Sequence, residues 1–230
     1  MDLNFLGCGS AFNPAYGNTS AYFTIGSHLY VIDAGESVFL KLYQKELLKT
    51  YDEITIFVTH MHADHVGSLP SIISYAYYVL GKTVTVVYPG SELWQLLDLM
   101  GIDHAAYRRL ESSLVETEAL KVQSVAVKHA DDIHCYGYVL ESDGDTIYYS
   151  GDSYEIPERV LHGFRQRTIS RIYQDTTEFR SAHRSHCSLE ELEEAIPQEL
   201  RKYVFCMHFT TNFTEKLKQK GFSFVMNPGA

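Results

Sequence analysis

Hydrophobic and polar positions alternate in short runs along this chain, and the period of the runs keeps changing. Segments 3–10 (LNFLGCGS), 20–26 (SAYFTIG) and 28–35 (HLYVIDAG) predict strands, interrupted where Gly, Asn and Asp favour turns. At 36–49 the period lengthens: Phe39, Leu40, Tyr43, Leu47 and Leu48 fall at helical spacing. A strand is expected at 54–60 (ITIFVTH), an aromatic-rich helix at 65–80, a strand at 83–89 and a helix at 91–101. The second half continues in the same style, with strands at 121–130, 135–142, 146–152, 171–177 and 203–209. A helix is expected at 188–196, where Ser188 and Glu191 have the spacing of a capping box, and a short polar helix from Thr214. Strands interleaved with helices, with no linker or repeat, predict an α/β fold of sheet covered by helix, in a single domain over 1–230.

Bulk composition narrows the partners. A length of 230 residues with 45% hydrophobic content suits one domain with a substantial core. The formal charge of −10 argues against general affinity for nucleic acid, which draws on clustered Lys and Arg. Cys8, Cys135, Cys187 and Cys206 are scattered without CxxC spacing, as expected of thiols in a reducing compartment. No signal-peptide pattern opens the chain, and no apolar run nears the roughly 20 residues that span a bilayer. The expectation is a cytoplasmic protein with no membrane partner.

The chemistry concentrates in VTHMHADHVG, residues 58–67, just after a buried-looking strand. In extended chain, residues two apart point the same way, so His60 and His62 can grip one ion. Asp64 and His65 then open a helix and can face a second. Imidazole and carboxylate suit zinc, manganese or iron. Asp33, His129, Asp152 and His208 also stand at the ends of predicted strands, the usual place for polar ligands in α/β proteins. A lone histidine so placed is more often structural, but several together are harder to dismiss.

These residues resemble a known family. His60-x-His62-x-Asp64-His65 is similar to the HxHxDH motif of the metallo-β-lactamase superfamily, and the likeness runs the length of the chain. Leu6-Gly7-Cys8-Gly9 resembles its LGxG, Asp33-Ala34-Gly35 its DxG, Ser150-Gly151-Asp152 its SGD and His208 its final histidine. The resemblance implies a four-layer αββα sandwich holding two divalent metals, zinc first and manganese as the alternative. One ion would take His60, His62 and His129; the other would take Asp64, His65 and His208. Asp152 would bridge them, and Asp33 would orient a ligand histidine from behind.

Within the superfamily the chain looks like ribonuclease Z and its compact phosphodiesterase relatives. Gly17-Asn18-Thr19-Ser20 matches the turn after the first strand, Asp175-Thr176-Thr177 stands in place of the HEAT motif, and Ser185-His186-Cys187-Ser188 matches the segment of that group's extra catalytic histidine. Asp64, His186 and Asp175 are therefore the catalytic candidates. His186 would donate the proton to the leaving group, with Asp175 orienting its ring; His183, in the same RSAHRSHCS segment, is the rival. Three departures set tRNA aside as the expected substrate. His129 and Asp152 lie too close in sequence for a tRNA-binding arm, the early loop Asn13-Pro14-Ala15-Tyr16-Gly17-Asn18 lacks its basic residues, and Gln174 and Asp175 replace the His and Glu of HEAT.

The expected activity is hydrolysis of a small phosphodiester by a dinuclear metal site, with 3′,5′-cyclic nucleotides ranked first. Phage anti-Pycsar enzymes, which degrade cyclic CMP and cyclic UMP, are among the compact relatives. The alternatives are a ribonuclease Z-like RNA endonuclease or another phosphodiester hydrolase, and a non-catalytic metal-dependent binding protein. Tyr16, Tyr107 and Tyr154 are aromatic candidates for stacking on a base, though most of the 17 tyrosines are expected in the core or an interface. Tyr75, Tyr77 and Tyr78 fit either core packing or the interface of a homodimer, which this group usually forms.

Overall fold

The computed structural model describes residues 1–182 and 184–226. Six strands form a first sheet in chain order: β1 (Asn4–Gly7), β2 (Ser20–Ile25), β3 (His28–Ile32), β4 (Glu53–Phe57), β5 (Val84–Val87) and β6 (Tyr107–Leu110). A second sheet follows from β7 (Leu114–Glu116), β8 (Lys121–Val127), β9 (Cys135–Ser142), β10 (Asp145–Tyr149), β11 (Arg171–Thr177), β12 (Cys187–Ser188), β13 (Val204–Met207) and β14 (Ser223–Phe224). Its spatial order is β14-β13-β11-β10-β9-β8-β7, with β12 paired to β11. Both sheets begin with antiparallel strands and turn parallel part-way: from β3 onward in the first, and from β10 onward in the second. The two halves thus share an architecture that the chain shows only as alternation.

Period-two patterning sorts the side chains into layers. Along β3, Leu29 and Val31 pack with the helices α1 (Val38–Gln44), α2 (Leu47–Thr50), α3 (Ala63–Val66), α4 (Leu69–Ser74) and α5 (Glu92–Leu99). Tyr30 and Ile32, between them, join the core shared with the second sheet. Aromatic rings bridge that core, with Phe57 5.5 Å from Tyr138 and Phe5 5.6 Å from Tyr173. Rings of this size each contribute about 1.5–3 kcal/mol when fully buried. On the second sheet, α6 (Glu158–Arg165), α7 (Leu189–Ala195) and α8 (Thr214–Gln219) bury Phe164, Leu192 and Leu217. The result is the αββα sandwich. Among the described residues, no helix is long and apolar enough to cross a membrane.

Element limits differ from the pattern in informative places. The helix expected over 36–49 is split into α1 and α2, because Glu46 adopts φ 55° and interrupts it. The run at 65–80 is α3, α4 and a wide π-turn over Tyr75–Val79. Strand β6, an edge strand with exposed Arg108 and Arg109, and the short β7 carry too little apolar period to be marked by pattern. The interval between His129 and Asp152 is the β9–β10 hairpin, closed by Asp143 and Gly144 at φ 50° and 73°.

Candidate metal centre

The residues of VTHMHADHVG change from strand to helix at one end of the first sheet. Strand β4 ends at Phe57, and His60 and His62 follow in chain that α3 then takes up, with His62 as its N-cap. Asp33, just past β3, sits at φ 66° with its side chain wholly buried. Its carboxylate accepts from Thr59 N at 2.8 Å, Thr59 Oγ1 at 2.9 Å and His65 Nδ1 at 2.8 Å. Asp33 thereby turns the Nε2 edge of His65 toward the cluster. Gly35 is required beside it, since a Cβ there would stand 1.9 Å from the Asp64 carbonyl oxygen.

The second sheet supplies the rest. His129 follows β8, and its Nδ1 donates to Ser185 O at 2.7 Å. Asp152 follows β10, reached through Gly151 at φ 59°. His208 follows β13, itself at φ 66°, and the next residue is stitched to the first sheet by Phe209 N donating to Cys8 O at 2.8 Å. Non-glycine residues with positive φ carry strain, and here two of them present site side chains.

Distances gather the donors into groups that share Asp152, two of which take up the predicted ligands, while a third joins Asp152 and His208 to Asp175 and His186. In the first, His60 Nε2 lies 3.0 Å from His62 Nδ1, which lies 3.2 Å from His129 Nε2. Asp152 Oδ2 stands 3.6 Å from His129 Nε2 and 3.9 Å from His60 Nε2. In the second, His65 Nε2 is 3.3 Å from both Asp64 Oδ2 and Asp152 Oδ1; His208 Nε2 is 3.3 Å and 3.4 Å from the same two atoms. Donors about a four-coordinate ion with zinc-type bond lengths are separated by about 3.3 Å. His65 Nε2 is buried and makes no hydrogen bond. Spacing, donor chemistry and this orphaned nitrogen all fit side chains that would hold a divalent metal.

Charge points the same way. Burial and the neighbouring imidazoles hold His60 and His62 below the ordinary histidine range. Burial opposes charge on His65 and His208 too, but the carboxylates outweigh it. Asp152 and Asp33 raise His65, and Asp152, Asp175 and Asp64 push His208 up to about 10. Burial also works against charge on Asp64 and Asp152, yet their histidine neighbours keep both well below the usual carboxylate range. Carboxylates and imidazoles thus meet out of water, a place where a bound cation would offset buried carboxylate charge.

Beside these donors, Asp175, two residues before the end of β11, touches two imidazoles. Its Oδ2 lies 2.6 Å from His186 Nδ1 and accepts from Ser153 N at 3.1 Å; its Oδ1 is 3.4 Å from His208 Nδ1. Gln174 is buried and spans Ser153 O and Asp175 O through its Nε2, steadying that corner. Burial would lower His186, but Asp175 overrides it and raises its pKa above the ordinary value. The structure thus brings His60, His62, Asp64, His65, His129, Asp152, His208, Asp175, His186 and Asp33 to one place; His183 lies outside the described residues.

A cavity of about 520 Å³ opens onto this cluster, lined by Phe12, Glu36, His62, Asp64, Asp152 and His186 among others. Tyr16, Tyr107 and Tyr154 are not among its lining residues. Tyr107 stacks on Trp94 and Tyr154 lies under Arg184. Periodicity gave no reason to single out Thr59, Ser185, Phe12 or Glu36; only Thr59, immediately before the HxH, and Ser185, immediately before His186, carry a local signal.

Fold and site together define a protein of the metallo-β-lactamase fold. The structure is similar to the metallo-β-lactamase fold protein YhfI from Bacillus subtilis, with a TM-score of 0.76 at 14% identity, covering 98% of this chain and 96% of that one. Residues 1–229 match the family model of the anti-Pycsar protein Apyc1, and the chain belongs to that family. The Apyc1 of Bacillus phage BSP38 is 30% identical over 245 residues, covering 95% of this chain and 93% of the phage protein. Ribonuclease Z of Parabacteroides distasonis is 29% identical over 182 residues, covering 72% of this chain and 59% of the enzyme.

Proposed function

We propose that this protein is a metal-dependent phosphodiesterase that hydrolyses a small phosphodiester, a 3′,5′-cyclic nucleotide before others. The observation that carries the reading is the Asp175–His186 pair, 2.6 Å apart, at a cavity also lined by the candidate metal donors His62, Asp64, His129, Asp152 and His208. A histidine held by a carboxylate at the wall of the ligand cavity is placed as a proton donor, and this favours catalysis over metal binding alone. Family membership and the likeness to ribonuclease Z support phosphodiester chemistry.

Charge explains why metal and substrate go together. Among the described residues lining the cavity there is no Lys or Arg, while Glu36, Asp64 and Asp152 are all carboxylates. A phosphodiester anion enters such a space only if cations are present. Divalent ions held by the two donor sets, zinc or manganese, would lower the pKa of water toward neutrality and offset charge on the phosphoryl oxygens. His129 is fixed by Ser185 O and His65 by Asp33, so each imidazole is held in one orientation. Asp175 accepts a hydrogen bond from His186 Nδ1–H and leaves Nε2–H of the protonated ring as the edge that can hand a proton to the departing alkoxide, the ring ending as neutral imidazole. The P–O bond breaks as the O–H bond forms, so no charged alkoxide is released.

The cavity is of a size that encloses one small ligand, in keeping with a mononucleotide rather than a folded RNA. A panel of cyclic AMP, GMP, CMP and UMP, bis(p-nitrophenyl) phosphate and a precursor tRNA, with zinc- or manganese-loaded protein, tests the reading. Turnover of one or more cyclic nucleotides is expected. Cleavage of the tRNA alone would overturn the ranking, and metal-loaded protein inert toward every diester would favour a binding role.

The reading includes a cytoplasmic homodimer. Leu40, Tyr43, Tyr78 and Val79 are each more than half exposed, and Tyr43 meets Tyr75 with ring centroids 5.6 Å apart, so α1 and the π-turn offer one apolar face.

A further inference from the structure

Phe12 is out of place for its chemistry. Its side chain is 92% exposed, yet the turn that carries it is held on every side. Asn13 N donates to Ser10 O at 3.0 Å, which makes Phe12 the third residue of a tight turn. Asn13 Nδ2 donates to Phe209 O and to Thr210 O, each at 3.1 Å. Ser10 N donates to Phe209 O at 3.1 Å, and Ser10 Oγ to Thr210 Oγ1 at 3.2 Å. The turn is therefore pinned to the two residues that follow His208, and its position is fixed relative to the metal donors.

Of the described residues that line the 520 Å³ cavity, Phe12 is the one Phe, Tyr or Trp. The other rings there are histidines already held by carboxylates or by one another. A large ring left in water forfeits the stabilisation that burial gives it. A ring carried on a fixed turn beside a ligand cavity needs no backbone ordering when something stacks on it, which lowers the cost of binding.

We propose that Phe12 is the base-stacking residue of this site: the phosphodiester sits over the donor cluster and the nucleobase lies against the Phe12 ring. This rests on the cyclic-nucleotide reading above and adds where the base goes. Phe12 is then a specificity residue that recognises a planar heterocycle, and it has no part in the proton transfers.

The test compares Phe12→Ala, Phe12→Leu and Phe12→Trp with wild type in the full-length, metal-loaded protein. The substrates are a cyclic nucleotide and ribose 3′,5′-cyclic phosphate lacking a base. Phe12→Ala and Phe12→Leu are expected to raise KM for the cyclic nucleotide by about tenfold or more, the range set by base–aromatic stacking, with kcat little changed. Phe12→Trp should restore KM, and KM for the baseless ester should stay at the wild-type value. Calorimetric affinity for the cyclic nucleotide in a His186→Ala background should fall by the same factor. A KM within about twofold of wild type in Phe12→Ala, with cyclic-nucleotide turnover intact, would sink the stacking role and leave the phosphodiesterase reading standing. An unchanged KM together with a changed solution mass would assign the ring to a subunit contact instead. Wild-type protein inert toward cyclic nucleotides removes the reading and the stacking role together.

Discussion

At the scale of single residues, the site is a set of paired restraints in which several of the rings are held by a partner behind them. Asp33 serves His65, Ser185 O serves His129, and Asp175 serves His186 while touching His208. Replacing His186 with Ala should lower turnover by about 10²–10⁴-fold, the usual contribution of a positioned acid, while metal content measured by atomic emission stays at the wild-type value. Turnover equal to wild type would remove His186 from the mechanism. Asp175→Asn probes the same pair through pH. The Asp175 carboxylate raises the pKa of His186, and a general acid acts only while protonated. Activity should therefore fall as pH rises through the His186 pKa, and this alkaline limb should move to lower pH in Asp175→Asn. A limb that stays in place would show that His186 is not the titrating acid.

At the scale of elements, short helices and strand ends do the positioning. Helix α7 begins three residues beyond His186, with Ser188 as its N-cap. Its capping box is complete: Ser188 Oγ accepts from Glu191 N at 3.2 Å, and Glu191 Oε2 accepts from Ser188 N at 2.9 Å. Ser188→Ala should cost about 1 kcal/mol, read as a lower midpoint in urea with an unchanged slope. Wild-type stability in that variant would mean the cap is replaceable. This cap was legible in the chain because its signal is local, two side chains three residues apart. The strand-end placement of the ligands was legible for a similar reason, since an apolar run that stops at His or Asp marks where a buried strand meets solvent. The break at Glu46 and the π-turn over Tyr75–Val79 were not, because a helical period continues through both and only tertiary packing interrupts it.

At the scale of the whole molecule, both sheets contribute to the donor set. His60, His62, Asp64 and His65 come from the first; His129, Asp152 and His208 come from the second. Metal held across that seam binds the native state and not the unfolded chain, so it should stabilise the fold by mass action. Chelation is expected to lower Tm by several degrees, and added zinc or manganese should restore it. An unchanged Tm after verified metal removal would count against metals bridging the sheets. The apolar face of α1 and the π-turn gives a second expectation. Light scattering at micromolar concentration should return a dimer mass, and Tyr78→Glu should halve it; a monomeric wild type would rule the dimer out.

Sequence alone settled which residue types would meet. The HxHxDH spacing, the strand ends at Asp33, His129, Asp152 and His208, and the Asp175 and His186 segments were all readable, because local period and motif spacing are properties of a few neighbouring residues. The tertiary structure decided how they meet. That Asp152 turns one oxygen to each donor set, that Asp175 touches two histidines, and that Phe12 faces the cavity while Tyr16, Tyr107 and Tyr154 do not, all depend on residues far apart in the chain. Those approaches are set by strand register and by the stitching of Cys8 and Ser10 to Phe209, contacts about 200 residues apart that no local pattern encodes.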